Sequence, residues 1–125
     1  MTDAPKKKIL IVDDEEDIRT FLETLFQDND YDTCLATNGF EAMEQLKKEK
    51  PDLITLDLMM PYETGTHFYK NLLKEDELKN IPVIVVSGLA GRHLAIRKPF
   101  AVFDKPIERE ELLKAVRKAL GQAEE

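Results

Sequence analysis

KILIVDDEED, residues 8–17, runs four apolar residues straight into five acidic ones. An unbroken apolar run of this kind reads as a strand buried on both faces, as in a parallel sheet covered by helices, rather than as an alternating, half-wet strand. Asp13 and Asp14 then leave the carboxyl end of that strand side by side. Adjacent carboxylates disfavour each other's ionisation unless a cation or a hydrogen-bond donor compensates. The stretch therefore implies two things: a buried parallel strand, and a positive partner for its end.

Outward from it, short apolar runs alternate with amphipathic stretches. Leu53–Leu56 and Val83–Val86 are likewise nearly continuous apolar runs, and Asp32–Ala36 and Ala101–Phe103 complete five candidate strands. Ile18, Phe21, Leu22, Leu25 and Phe26 fall on one helical stripe, predicting a helix over about Glu15–Asp28. Asn38 with Glu41 three residues on forms a capping-box-like start to a second helix, which buries Ala42, Met43 and Leu46 and stops before Pro51. A third helix follows PYETG with Phe68 and Leu72 inward. The last runs from about Glu108 to Leu120 with Leu112, Leu113, Val116, Ala119 and Leu120 on its buried side. Strands alternating with helices in this way predict an α/β fold, a doubly wound five-stranded parallel sheet with helices on both faces.

The bulk properties narrow the function. A chain of 125 residues suits one domain with a sizeable core, here expected over 1–125 with the core at about 7–120 and a polar tail at 121–125. A net charge of −7 argues against general affinity for nucleic acid, which depends on clustered Lys and Arg neutralising phosphates. The Lys6–Lys8 run reads as the solvated approach to the first strand. No apolar run approaches the length of a membrane span, and MTDAPKKK is not a signal peptide, so a cytoplasmic protein without membrane or direct nucleic-acid partners is expected. The single cysteine, Cys34, reads as a small core residue.

In a doubly wound sheet the carboxyl ends of the strands share one edge, and ligands bind there. This chain puts Asp13 and Asp14 after the first strand, Asp57 after the third, Ser87 after the fourth and Lys105 after the fifth. Taken singly, Asp14 would suit helix capping and Ser87 ordinary turn chemistry; with Asp57 and Lys105 at the same edge they point to a site. Three carboxylates with one lysine call for a small, charge-dense, oxygen-seeking cation, and Mg²⁺ fits because it takes a few carboxylates and leaves positions for water and phosphate. The lysine is then available to an anion. Such a carboxylate, with a hydroxyl and an ammonium aimed at the same spot, is equipped to attack a phosphoryl group and hold it as an acyl phosphate.

Over about Lys7–Leu120 the chain resembles a two-component response-regulator receiver domain of the single-domain, chemotaxis-regulator-like kind. The resemblance rests on VDDE, LDLMMP with Gly65 four residues after Pro61, VVSG and DKP, in that order at strand ends. It implies a flavodoxin-like sheet of order 2-1-3-4-5, phosphorylation of Asp57 by a histidine kinase or phosphotransfer protein, and a signal relayed to a downstream protein. It further implies Mg²⁺ held by Asp14, Asp57 and the Met59 carbonyl with Asp13 acting largely through water. Ser87 would bond a phosphoryl oxygen, and Lys105, before a cis peptide to Pro106, would pair with the phosphate.

The chain departs from that pattern in two places. Where receivers carry an aromatic three residues before the lysine it has Val102, and Phe103 should face the opposite side of the strand. Between Ser87 and Lys105, glycines and Pro99 leave only Arg92–Lys98 competent for helix, so a short or irregular fourth helix is expected, with phosphorylation acting by ordering Gly88–Lys98. Arg92, His93, Arg97 and Lys98 there form a locally basic patch; His93 and the distant His67 read as surface or packing residues, not catalytic ones. These departures keep a second reading open, a phosphate-independent binding module. An enzyme of the haloacid dehalogenase type is disfavoured, since it wants an acid where Met59 stands, and no P-loop is present. With only GQAEE following Leu120, a stand-alone receiver or one cut from a longer protein is expected.

Overall fold

The computed structural model describes residues 6–57, 65–87, 100–105 and 107–122. In chain order its elements are β1 (Lys8–Val12), α1 (Glu16–Gln27), β2 (Asp32–Ala36), α2 (Gly39–Glu49), β3 (Leu53–Leu56), α3 (Gly65–Leu73), β4 (Val83–Ser87), β5 (Ala101–Asp104) and α4 (Arg109–Ala119). The strands form one parallel sheet of order β2-β1-β3-β4-β5. This is the doubly wound, flavodoxin-like order expected above. The Met59 carbonyl, the peptide to Pro106, His93 and the whole 88–98 segment lie outside the described residues.

The apolar runs are continuous because alternate residues feed two separate cores. From β1, Leu10 and Val12 join Ala42 and Leu46 of α2 and Phe68 and Leu72 of α3 on one face. Ile9 and Ile11 join Leu22, Leu25 and Phe26 of α1 and Leu112, Leu113 and Val116 of α4 on the other. β4 divides the same way, Val83 and Val85 against Ile84 and Val86. On β5, Val102 packs with the first core while Phe103 packs with the second, as strand alternation requires.

Thr55 interrupts the apolar pattern of β3. It is buried between Ile11 and Ile84 on the neighbouring strands, and its hydroxyl has no hydrogen-bond partner among the described residues. A buried hydroxyl without a partner costs about 1–3 kcal/mol, and valine has nearly the same shape. Thr55→Val should therefore raise the unfolding free energy by about 1–2 kcal/mol in urea denaturation.

The helix ends follow local chemistry. Glu15 is extended and stands as the N-cap of α1, and Asp28 is its C-cap, so the helix is a residue shorter at each end than its apolar stripe suggested. The Asn38 side chain accepts from the N–H of Glu41 at 2.9 Å, the expected half of a capping box. The other half differs: the Glu41 carboxylate accepts from the backbone N–H and hydroxyl of Thr37, both at 2.7 Å, one residue before the cap. Lys50, at φ 51°, takes the left-handed conformation that ends α2 ahead of Pro51. In α4, Glu110 and Glu111 in the first turn and Arg117 and Lys118 in the last suit the helix dipole. Among the described residues no helix is long and apolar enough to cross a membrane.

Cys34 is buried in the first core. Burial pushes its thiol up to about 11, with the Glu49 charge adding to the rise and Lys8 opposing it. The thiol thus stays neutral in the folded protein through the range where an exposed one ionises. At pH 8 the thiolate fraction falls about a hundredfold relative to the unfolded chain. Alkylation of the native protein at that pH should be at least about a hundredfold slower than in denaturant. Equal rates would place Cys34 at the surface.

Candidate functional site at the carboxyl edge of the sheet

Sheet hydrogen bonds carry past the strand ends and fix the first acids. The Asp13 N–H donates to the Ala36 carbonyl at 3.1 Å, and the Asp57 N–H donates to the Val12 carbonyl at 2.9 Å. Because Val12 and Leu56 are in register, the residues that follow them emerge next to one another. One carboxylate oxygen from each of Asp13, Asp14 and Asp57 lies within 4.8 Å of the others. Asp13 and Asp57 are buried, whereas Asp14 is exposed.

Lys105, just past β5, extends over the edge to these acids. Its Nζ is 2.8 Å from Glu15 Oε1, 3.1 Å from Asp13 Oδ2 and 3.6 Å from Asp57 Oδ2. The lysine side chain is only 15% exposed. Burial works against its charge, but the hydrogen bonds to Glu15 and Asp13 and the attraction of Asp13 and Asp57 outweigh it, so its pKa is raised and the ammonium persists. Asp13 is raised as well, chiefly by burial, against the lowering pull of the Glu15 N–H and of Lys105.

Each carboxylate oxygen of Asp13 has one protein partner and keeps a further acceptor site. Oδ1 accepts from the Glu15 N–H at 2.9 Å and Oδ2 faces Lys105. Its carbonyl accepts from Arg19 Nη1 at 2.8 Å, which ties the β1–α1 turn to the first turn of the helix. The turn that presents the acids is thus braced from two sides.

The structure brings together Asp13, Asp14, Asp57 and Lys105 of the sequence-derived set. Ser87 closes β4 with its backbone paired to Asp104, one residue before Lys105; its side chain, like Met59, lies outside what is described. His67 is exposed. Sequence reasoning did not single out Glu15 or Arg19. For Glu15 the acidic run itself was a signal, but its partner lies 90 residues away.

Among the described residues the donor set is all oxygen, hard and anionic, with the half-buried ammonium of Lys105 beside it. Such an edge can hold a small divalent cation and, next to it, an anion. Among the described residues it contains neither the thiolate or imidazole ligands of a zinc site nor a glycine-rich phosphate cradle.

Comparison with known proteins agrees with this geometry. The family described as response regulator receiver domain matches residues 9–117. The polar-differentiation response regulator DivK of Brucella anthropi is 33% identical over 121 residues, covering 94% of this chain and 98% of that protein. Sporulation initiation phosphotransferase F of Bacillus subtilis is 36% identical over 121 residues, covering 91% and 94%. The crystal structure of chemotaxis protein CheY4 of Vibrio cholerae superposes with a TM-score of 0.83 at 28% identity, covering 92% of this chain and 99% of that one. The chain belongs to the response-regulator receiver family.

Proposed function

We propose that the protein is a phosphorylation-dependent signalling switch that accepts a phosphoryl group on Asp57 and relays the event through a change of surface. The observation that carries this reading is the ammonium of Lys105 held between Asp13 and Asp57, with Asp14 as a third acid at the same edge. A carboxylate oxygen of Asp57 attacks phosphorus. With a phosphohistidine donor on a histidine kinase or phosphotransfer protein the P–N bond breaks and the imidazole leaves; with acetyl phosphate the leaving group is acetate. The name of the Bacillus subtilis relative, a phosphotransferase, is in keeping with this chemistry.

The carboxylates of Asp13, Asp14 and Asp57 fit Mg²⁺, joined by the Met59 carbonyl that the family pattern supplies. When bound, that ion neutralises charge on the acids and on the incoming phosphoryl oxygens. Lys105 supplies a second, fixed positive charge, and Ser87 a hydroxyl for a phosphoryl oxygen. The chain acts as a regulator with self-catalysed phosphotransfer and dephosphorylation rather than as an enzyme on free substrates. A phosphate-independent binding module remains the competing reading, motivated by Val102 at the position of the switch aromatic.

The test is a pair of measurements on the parent chain. Acetyl phosphate with Mg²⁺ should add one phosphoryl group by intact mass, and chelator should prevent it. Mg²⁺ should also stabilise the fold, since a ligand that binds only the native state contributes RT ln(1 + [L]/Kd), about 1.4 kcal/mol at ten times its Kd. That amounts to a rise in Tm of several degrees. No adduct and equal melting with Mg²⁺ and with chelator would favour the binding-module reading.

A further inference from the structure

We propose that Glu15 is a positioning residue that competes with the phosphoryl group on Asp57 for the ammonium of Lys105. The inference rests on Asp57 being the phosphoryl acceptor and concerns how tightly the phosphorylated form is held. Among the described acids around Lys105 Nζ, Glu15 makes the shortest contact at 2.8 Å, against 3.1 Å for Asp13 and 3.6 Å for Asp57.

A second observation shows that this contact is not a by-product of helix capping. Glu15 occupies the N-cap of α1, where a shorter Ser, Thr, Asp or Asn side chain ordinarily accepts from the free N–H groups of the first turn, and its own carboxylate makes no capping hydrogen bond. Its carboxylate is engaged with Lys105 instead. Its backbone is meanwhile fixed, the N–H donating to Asp13 Oδ1 and the carbonyl accepting from the Arg19 N–H at 3.0 Å. The residue is held firmly at its base while its charged end pairs with the lysine.

The strength of the pair suits a competitor. Glu15 is 60% exposed while Lys105 is 15% exposed, so the contact sits at the wet rim of the site. Pairs of that kind contribute modestly, because water and salt screen them. A phosphoryl group carries more charge and three acceptor oxygens, and it takes the ammonium when it arrives. Glu15 recaptures it when the phosphoryl group leaves. By linkage, whatever Glu15 gains from Lys105 in the unphosphorylated state is lost from the phosphoryl group's hold on the site.

The experiment measures the affinity of the phosphoryl mimic beryllofluoride at saturating Mg²⁺ by isothermal titration calorimetry. The parent chain, Glu15→Gln, Lys105→Met and the double variant are compared. Glu15 is largely exposed, so its substitution leaves the core intact. Glu15→Gln should bind the mimic about three- to fivefold more tightly than the parent. The same substitution on the Lys105→Met background should leave affinity unchanged, since the competitor then has nothing to compete for. Unchanged affinity in Glu15→Gln, or an equal gain with and without Lys105, overturns the proposal; the second result would mark a general charge effect. A parent chain that binds no beryllofluoride overturns the acceptor reading itself, and this proposal with it.

Discussion

Asp57→Asn should take up no phosphoryl group from acetyl phosphate and Mg²⁺ under conditions that label the parent chain fully. The substitution keeps the shape of the side chain and removes the anionic oxygen that the proposed reaction uses as nucleophile. The fold should survive, because Asp57 is held by its backbone N–H to Val12, and Lys105 retains Asp13 and Glu15. Asp13→Asn and Asp14→Asn should behave differently, slowing labelling without abolishing it, because on the proposed reading those acids help hold Mg²⁺ and do not receive the phosphoryl group. Intact mass after matched incubations separates the three variants. Full labelling of Asp57→Asn would move the acceptor to another acid of the cluster.

The largest effect on stability is expected from Phe26→Ala. Phe26 is fully buried where α1 meets the sheet, and its ring lies edge-on to Tyr31 with centroids 6.3 Å apart and planes at 88°. Removing it deletes the transfer free energy of the ring, leaves a cavity the second core cannot fully close, and breaks the aromatic pair. The loss should be about 3–5 kcal/mol, much of the 5–15 kcal/mol typical of a whole domain. Tyr31 would be loosened as well, although its hydroxyl keeps its 2.6 Å hydrogen bond to Gln122 past the end of α4. Urea denaturation gives the value directly. A loss below about 1.5 kcal/mol would mean that the site collapses freely, contrary to the close packing of α1 on β1.

The sheet was legible because parallel strands buried on both faces need no alternation, and Ile9–Val12, Leu53–Leu56 and Val83–Val86 show none. The inward faces of α1, α3 and α4 followed from helical spacing, and Asn38 marked the start of α2 through a bond that spans only three residues. The acids and lysine could be placed at one edge because chain direction in a parallel sheet puts every strand's carboxyl end there.

What escaped were contacts decided by side-chain reach across the fold. Glu15 lay at the end of the helix stripe and became the cap residue whose carboxylate pairs with Lys105. Arg19 on the Asp13 carbonyl and Lys8 on Glu49 at 2.7 Å are long, flexible side chains whose partners depend on tertiary placement. The Thr55 hydroxyl is hidden in sequence because threonine is a good strand former, and its lack of a partner becomes visible only once its neighbours are in place.

In the proposed reaction the carboxylate of Asp57 becomes an acyl phosphate. Acyl phosphates are reduced by borohydride to the alcohol, whereas free carboxylates and phosphate esters are not, so reduction of the phosphorylated chain followed by peptide mass mapping marks the acceptor. Homoserine is expected at position 57, dependent on both the phosphodonor and Mg²⁺. Homoserine at 13 or 14, or a phosphoryl group that survives reduction on a hydroxyl, would contradict it.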